Sequence, residues 1–243
     1  MEEAINLERL AFQESYIEAS GFRMKCLAAG QGDPVVILDS ISGGISKLRD
    51  ALGQRYSVVV LELLGFGSSP ANTEPSSVKD LAKVVAQATE KIISEKYTLI
   101  GTSFGANVAL WHTLQAPDRV DALVLISPTT LFPKSNTAPE MAAKEQELIT
   151  RLGGSMHDTE AGSRLSEIQC PTLIVFGSKD GLVAAEAAST YRREIPNSHV
   201  SLVYDAGHLI VADRPEALIN TVVDYVERRE TFVVSRQSGV INP

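Results

Sequence analysis

Tyr97-Thr98-Leu99-Ile100-Gly101-Thr102-Ser103-Phe104-Gly105-Ala106 is the stretch on which the fold turns. A short, β-branched and nearly all-apolar run meets Gly-x-Ser-x-Gly, and an apolar segment that stops before Pro117 follows. The run predicts a buried strand and the segment after Phe104 predicts a helix. Strand, sharp turn and helix leave the serine at the corner, and a glycine two residues to either side keeps the two elements from colliding. Ala106 and Ala109 continue the small-residue pattern on the helix. Ser103 Oγ is therefore expected above the carboxyl end of a strand, beside a helix N-terminus whose dipole favours negative charge. A plain helix cap is the simpler alternative for the same residue.

Around this stretch the chain repeats the same alternation. Val35–Leu38, Val58–Leu61, Ala122–Ile126, Thr172–Phe176 and Val200–Tyr204 are short and almost wholly apolar. Such runs suit strands whose two faces are both covered, as in a parallel sheet between helices. Ser15–Glu18 and Phe22–Ala28 alternate weakly and predict a hairpin across Ala19–Gly21. Val78, Leu81, Val85, Ala88 and Ile92 form one helical stripe, with Ser77 and Asp80 as its capping pair. Further helices are predicted after Phe104, over Ala184–Glu194, and from Pro215 onward with Asp213 as cap. Alternating β and α elements imply right-handed crossovers. The predicted fold class is α/β, a doubly wound and mostly parallel sheet with an N-terminal hairpin, and residues 1–243 are expected to form one domain.

One segment breaks the rhythm. No strand is predicted between Ser127 and Cys170, and Pro139–Leu152 reads as a helix closed by Gly153-Gly154. Ligands of open α/β sheets bind beyond the carboxyl ends of the strands. Residues 129–168 are accordingly expected to be a short lid, against the alternative of one more helix packed on the sheet. Residues 231–243 form a tail without an assigned element, in which Phe232-Val233-Val234 could be a docking strand.

Composition narrows the partners. Hydrophobic residues make up 44% and charged residues 21%, and the net charge is −8. An acidic chain is not drawn to nucleic acid or an anionic membrane. No apolar run reaches the ~18–20 residues that span a bilayer, and MEEAINLERL lacks the basic and apolar regions of a secretory leader. A cytoplasmic setting is expected, with a small molecule as partner. Cys26 and Cys170 then read as free thiols rather than a bridge or half a metal site.

A serine hydroxyl needs a general base. Of four histidines, His112 lies within the predicted helix after Ser103, His199 opens the last strand, and His157 falls in the expected lid. His208, in Asp205-Ala206-Gly207-His208, alone sits in a loop just past a strand's carboxyl end. The third partner should be a carboxylate that orients the imidazole. Asp180 follows the strand Thr172–Phe176; Asp205 is its rival but lies only three residues before His208. Ser103, Asp180 and His208 thus stand as candidate triad.

The order Ser…Asp…His and the strand-borne elbow resemble the α/β-hydrolase superfamily, over about Ser15–Arg228. Leu64-Gly65-Phe66-Gly67-Ser68-Ser69 is similar to that family's P-G-x-G-x-S turn, with Leu64 in place of proline. The resemblance implies a hydrolase of the esterase kind that needs neither cofactor nor metal. It also implies backbone N–H donors for an oxyanion at Ile41 and Phe104. Where the family often carries His-Gly, this chain has Asp39-Ser40, and Asp39 is expected to turn away and hold its loop. Ser40, Leu131, Phe132, Met141 and Met156 are the candidate substrate contacts. A small, partly apolar ester or related carbonyl compound is the expected substrate. A non-hydrolytic lyase using His208 and Asp39, and a ligand-binding protein without catalysis, are the alternatives.

Overall fold

Each apolar run becomes a strand, extended by one or two residues at one or both ends, except that the last stops at Val203 and leaves out Tyr204. A computed structural model describes residues 10–40, 45–66, 69, 77–131, 150, 157–181 and 185–237. The strands are β1 (Gln13–Ala19), β2 (Phe22–Ala29), β3 (Pro34–Asp39), β4 (Ser57–Glu62), β5 (Tyr97–Thr102), β6 (Val120–Ile126), β7 (Thr172–Gly177) and β8 (Ser198–Val203). They form one eight-stranded sheet in the order β1-β2-β4-β3-β5-β6-β7-β8. The first two pairings, β1 with β2 and β2 with β4, are antiparallel, and all others are parallel. The hairpin turns at Ser20 (φ 51°) and Gly21 (φ 77°), the positive-φ pair that a two-residue connection between twisted strands requires.

Alternation sorts the strand residues onto two buried faces. Val36, Leu38, Leu99 and Leu123 join the helices α2 (Val78–Ile92) and α3 (Phe104–Gln115) in one core. Tyr191 and Ile195, on and just after α5 (Ala185–Glu194), close the same core, as does Ala161 of the short α4 (Thr159–Ser163). Val35, Ile37, Ile100 and Val124 pack on the other face against α1 (Ser46–Gly53) and α7 (Pro215–Gln237). A short α6 (Ile210–Asp213) precedes α7. Helices on both faces make the sheet doubly wound. Its strand order reverses beside β3, so the carboxyl ends of β3 and β5 flank the crevice where such sheets bind ligands.

Several expectations need correction. α2 is capped as predicted, Ser77 Oγ accepting from the Asp80 N–H at 3.1 Å, but Ile92 at the end of its stripe is 40% exposed. Asp213 does not cap α7: its carboxylate accepts from the Gly207 N–H at 2.8 Å, across the loop that carries His208. Phe232-Val233-Val234 is helical, since α7 continues to Gln237 past a non-helical Arg228. Most of the expected lid helix, Pro139–Leu152, lies outside the described residues.

α3 is buried from Phe104 to Thr113, including His112. The His112 Nε2 meets the Tyr97 hydroxyl at 2.6 Å, and Tyr97 donates onward to Thr89 Oγ1 at 3.0 Å. Burial pushes the imidazole down from 6.5 to about 4, because a cation there would lose its hydration. The unfolded chain therefore binds this proton first as pH falls. Stability from a neutral His112 is complete above pH 6.5 and is lost progressively toward pH 4, on the order of 3 kcal/mol in all. His199, lowered by burial and by Arg192, acts in the same direction. Thermal unfolding followed from pH 7 to 5 should show a falling Tm. His112→Gln, which keeps a donor for Tyr97 and cannot titrate, should flatten that slope.

Candidate active site

The corner after β5 is built by two glycines and one strained serine. A Cβ on Gly101 would lie 2.3 Å from the Gly105 carbonyl oxygen, and one on Gly105 would lie 2.6 Å from that of Leu38. Side chains at either position would push α3 off β5 and β3. Ser103 sits at φ 49°, ψ −117°, a backbone region that non-glycine residues adopt only when their surroundings impose it. The surroundings do so here: the Ser103 N–H donates to the Ile126 carbonyl on β6 at 2.8 Å.

Ser103 makes no capping bond to α3, which removes the simpler reading of this serine. Its Oγ instead lies 3.0 Å from His208 Nε2. His208 Nδ1 lies 3.0 Å from Asp180 Oδ2, and the Asp180 and His208 side chains are 2% and 8% exposed. With Nδ1–H donating to Asp180, the Nε2 lone pair faces the serine hydroxyl. This is the tautomer a base needs in order to take the serine proton. Asp205 is placed differently: it is exposed and paired with Lys179, which holds its carboxyl below the usual range. His112 is bound within the core and His199 lies on β8.

The histidine loop is held by its backbone. Lys179 N–H donates to the Ala206 carbonyl at 2.8 Å, and Asp213 holds Gly207 as above. The Ser127 hydroxyl donates to the His208 carbonyl at 2.8 Å. Ser127, buried at φ 47° just past β6, was not among the candidates read from the sequence. Its position at a strand's carboxyl end was the available signal.

Ser40 directs its hydroxyl at the elbow, donating to the Thr102 carbonyl at 2.8 Å and accepting from the Gly105 N–H at 3.1 Å. It thus staples the end of β3 to the corner, a structural role beside the expected substrate contact. Asp39, buried as the last residue of β3, stands in register with Glu62 of β4. Phe104 opens α3, where the first N–H groups have no intrahelical acceptor. Ile41, Phe132, Met141 and Met156 lie outside the described residues. Leu131 is partly buried against the core shared by α2 and α3. Both cysteines are free thiols, no group of three potential metal ligands occurs among the described residues, and none of the described helices is long and apolar enough to cross a membrane.

Comparison with known proteins agrees with this architecture. A family model described as alpha/beta hydrolase fold matches residues 33–156. The 2-hydroxy-6-oxo-6-(2'-aminophenyl)hexa-2,4-dienoic acid hydrolase of Metapseudomonas resinovorans is 20% identical, over 90% of this chain and 92% of its own length. The 2-hydroxy-6-oxononadienedioate/2-hydroxy-6-oxononatrienedioate hydrolase of Escherichia coli (strain K12) is 25% identical, over 82% and 89% respectively. Carboxylesterase CesB from Bacillus subtilis superposes with a TM-score of 0.73 at 19% identity, covering 91% of this chain and 94% of that one. The chain belongs to the α/β-hydrolase fold family. Its matched relatives are hydrolases, and hydrolysis is the class of chemistry they define.

Proposed function

We propose that this hydrolase cleaves small, partly apolar esters or related carbonyl compounds through an acyl-enzyme on Ser103. The observation that carries the reading is the unbroken series of contacts from Ser103 Oγ through His208 to Asp180. In the first step Ser103 Oγ bonds to the substrate carbonyl carbon while its proton passes to His208 Nε2. The oxygen that gains charge faces the helix N-terminus, with the Phe104 N–H as one donor and Ile41 N–H as its expected partner. Collapse breaks the bond to the leaving group, which takes the proton from His208. Water, deprotonated by the same imidazole, then releases the acid and restores Ser103. Asp180 stays ionised throughout and stabilises the imidazolium.

The oxo acids in the relatives' names also offer a carbonyl carbon, so a ketone is a second substrate class for the same attack. A lyase reading has one observation in its favour, the buried carboxylate of Asp39 on the strand beside the elbow. Rapid quenching of a 4-nitrophenyl butyrate reaction, followed by peptide mass spectrometry, separates the two. The expected result is a burst of nitrophenol and a butyryl group on the Ser103 peptide. Asp39→Asn should leave turnover within roughly tenfold, about 1.4 kcal/mol of barrier. No adduct, together with a loss of ~10²-fold or more in Asp39→Asn at unchanged Tm, is the signature of general acid–base work by Asp39 and overturns the hydrolase reading.

A further inference from the structure

Residues Ser127–Thr130 run from the end of β6 between the helix that carries Ser103 and the loop that carries His208. At one end the Ser127 hydroxyl donates to the His208 carbonyl at 2.8 Å, and the Ser127 N–H donates to Val175 on β7 at 2.8 Å. At the other end Asn107, one turn beyond Ser103 on α3, holds two threonines. Asn107 Oδ1 accepts from the Thr129 N–H at 3.0 Å and from the Thr130 hydroxyl at 2.8 Å. Asn107 Nδ2 donates to Thr129 Oγ1 at 2.8 Å. Asn107, Ser127, Thr129 and Thr130 are all buried. Between the two ends Pro128 fixes one φ and removes a donor.

We propose that Ser127–Thr130 is a strap that sets the separation of Ser103 and His208, with Ser127 and Asn107 as its positioning residues. The contacts close a ring. It runs from Ser103 along one turn of α3 to Asn107, through the strap to Ser127, to the His208 carbonyl, and from the His208 ring back to Ser103 Oγ. A buried amide that uses one of its two N–H donors and both acceptor directions has few alternative arrangements. The left-handed backbone of Ser127, unusual for serine, persists because this geometry demands it. The inference rests on the Ser103–His208 reading above.

Ser127→Gly is the decisive variant, because glycine adopts the same φ without strain and removes the hydroxymethyl group that holds the His208 carbonyl. If the serine were purely structural, the Ser127→Gly variant would be as active as the parent. The strap predicts that Tm holds or rises while kcat on 4-nitrophenyl butyrate falls roughly 10- to 100-fold, with KM within about threefold. Asn107→Leu should act in the same direction, and Asn107→Asp, which keeps the acceptor, should recover part of the loss. A substrate-free readout keeps the two readings apart: the strap predicts a single, sharp His208 ring-proton NMR signal in the parent protein and a broadened or split one in Ser127→Gly. Parent kcat and a parent-like His208 signal in that variant overturn the strap. If the parent turns over no ester, the ester reading fails, and the NMR signal alone still decides for or against the strap.

Discussion

His208→Ala should slow labelling of Ser103 by a fluorophosphonate on the order of 10⁵-fold while leaving the protein folded. Without an acceptor at 3.0 Å, the Ser103 hydroxyl keeps its proton and the phosphorus centre meets an alcohol instead of an incipient alkoxide. Elbow and helix dipole remain, so residual labelling stays above that of an ordinary surface serine. The fold should tolerate the change because the loop is held by main-chain bonds. Ala206 and His208 are gripped through their carbonyls and Gly207 through its N–H, and none of these is lost on truncating the imidazole. The measurement is the second-order labelling rate with peptide mapping, alongside a melting curve. Rapid labelling in the variant, or a probe found on another serine, removes His208 from the base role.

The parts of this site legible in the sequence are those whose geometry is local. Gly101 and Gly105 flank Ser103 at two residues to either side, so the turn and its clearance could be read directly. Asp180 and His208 were recognisable by their place after apolar strands, since parallel strands bring their carboxyl ends to one edge. What the sequence concealed depends on contacts between distant segments. Ser127 finds the His208 carbonyl 81 residues away, and Asn107 finds Thr129 at a separation of 22. Asp213 looked like a cap because aspartate before Arg-Pro often is one; the Gly207 N–H, brought near by the loop, took its carboxylate instead. Helix α1 escaped notice because it has neither a side-chain cap nor an acid in its first turn. Only burial of Leu48, Ala51 and Leu52 on the sheet explains it, in line with tertiary packing outweighing weak helix signals.

Asp180→Asn should lower kcat by about 10⁴-fold, and Asp205→Asn should leave it within about threefold. Both acids precede the same histidine in the chain, yet their surroundings differ in kind. Asp180 is 2% exposed and meets Nδ1 at 3.0 Å. Asparagine fits its space, but its amide can donate to Nδ1 and so favour the tautomer with the proton on Nε2. That ring offers Ser103 a donor where it needs an acceptor, and no charge remains to stabilise the imidazolium. Asp205 is half exposed and paired with Lys179 at the surface, where such pairs contribute little. Its main-chain bond to Ser178 Oγ at 2.9 Å survives the change to Asn. The comparison is read as kcat on one ester at one pH, with KM as control, because orientation and charge at His208 act on the transition state and not on substrate binding. A large loss in Asp205→Asn with a small one in Asp180→Asn would transfer the orienting role to Asp205. It would also require the histidine loop to turn over during catalysis, away from the geometry in which its backbone is pinned.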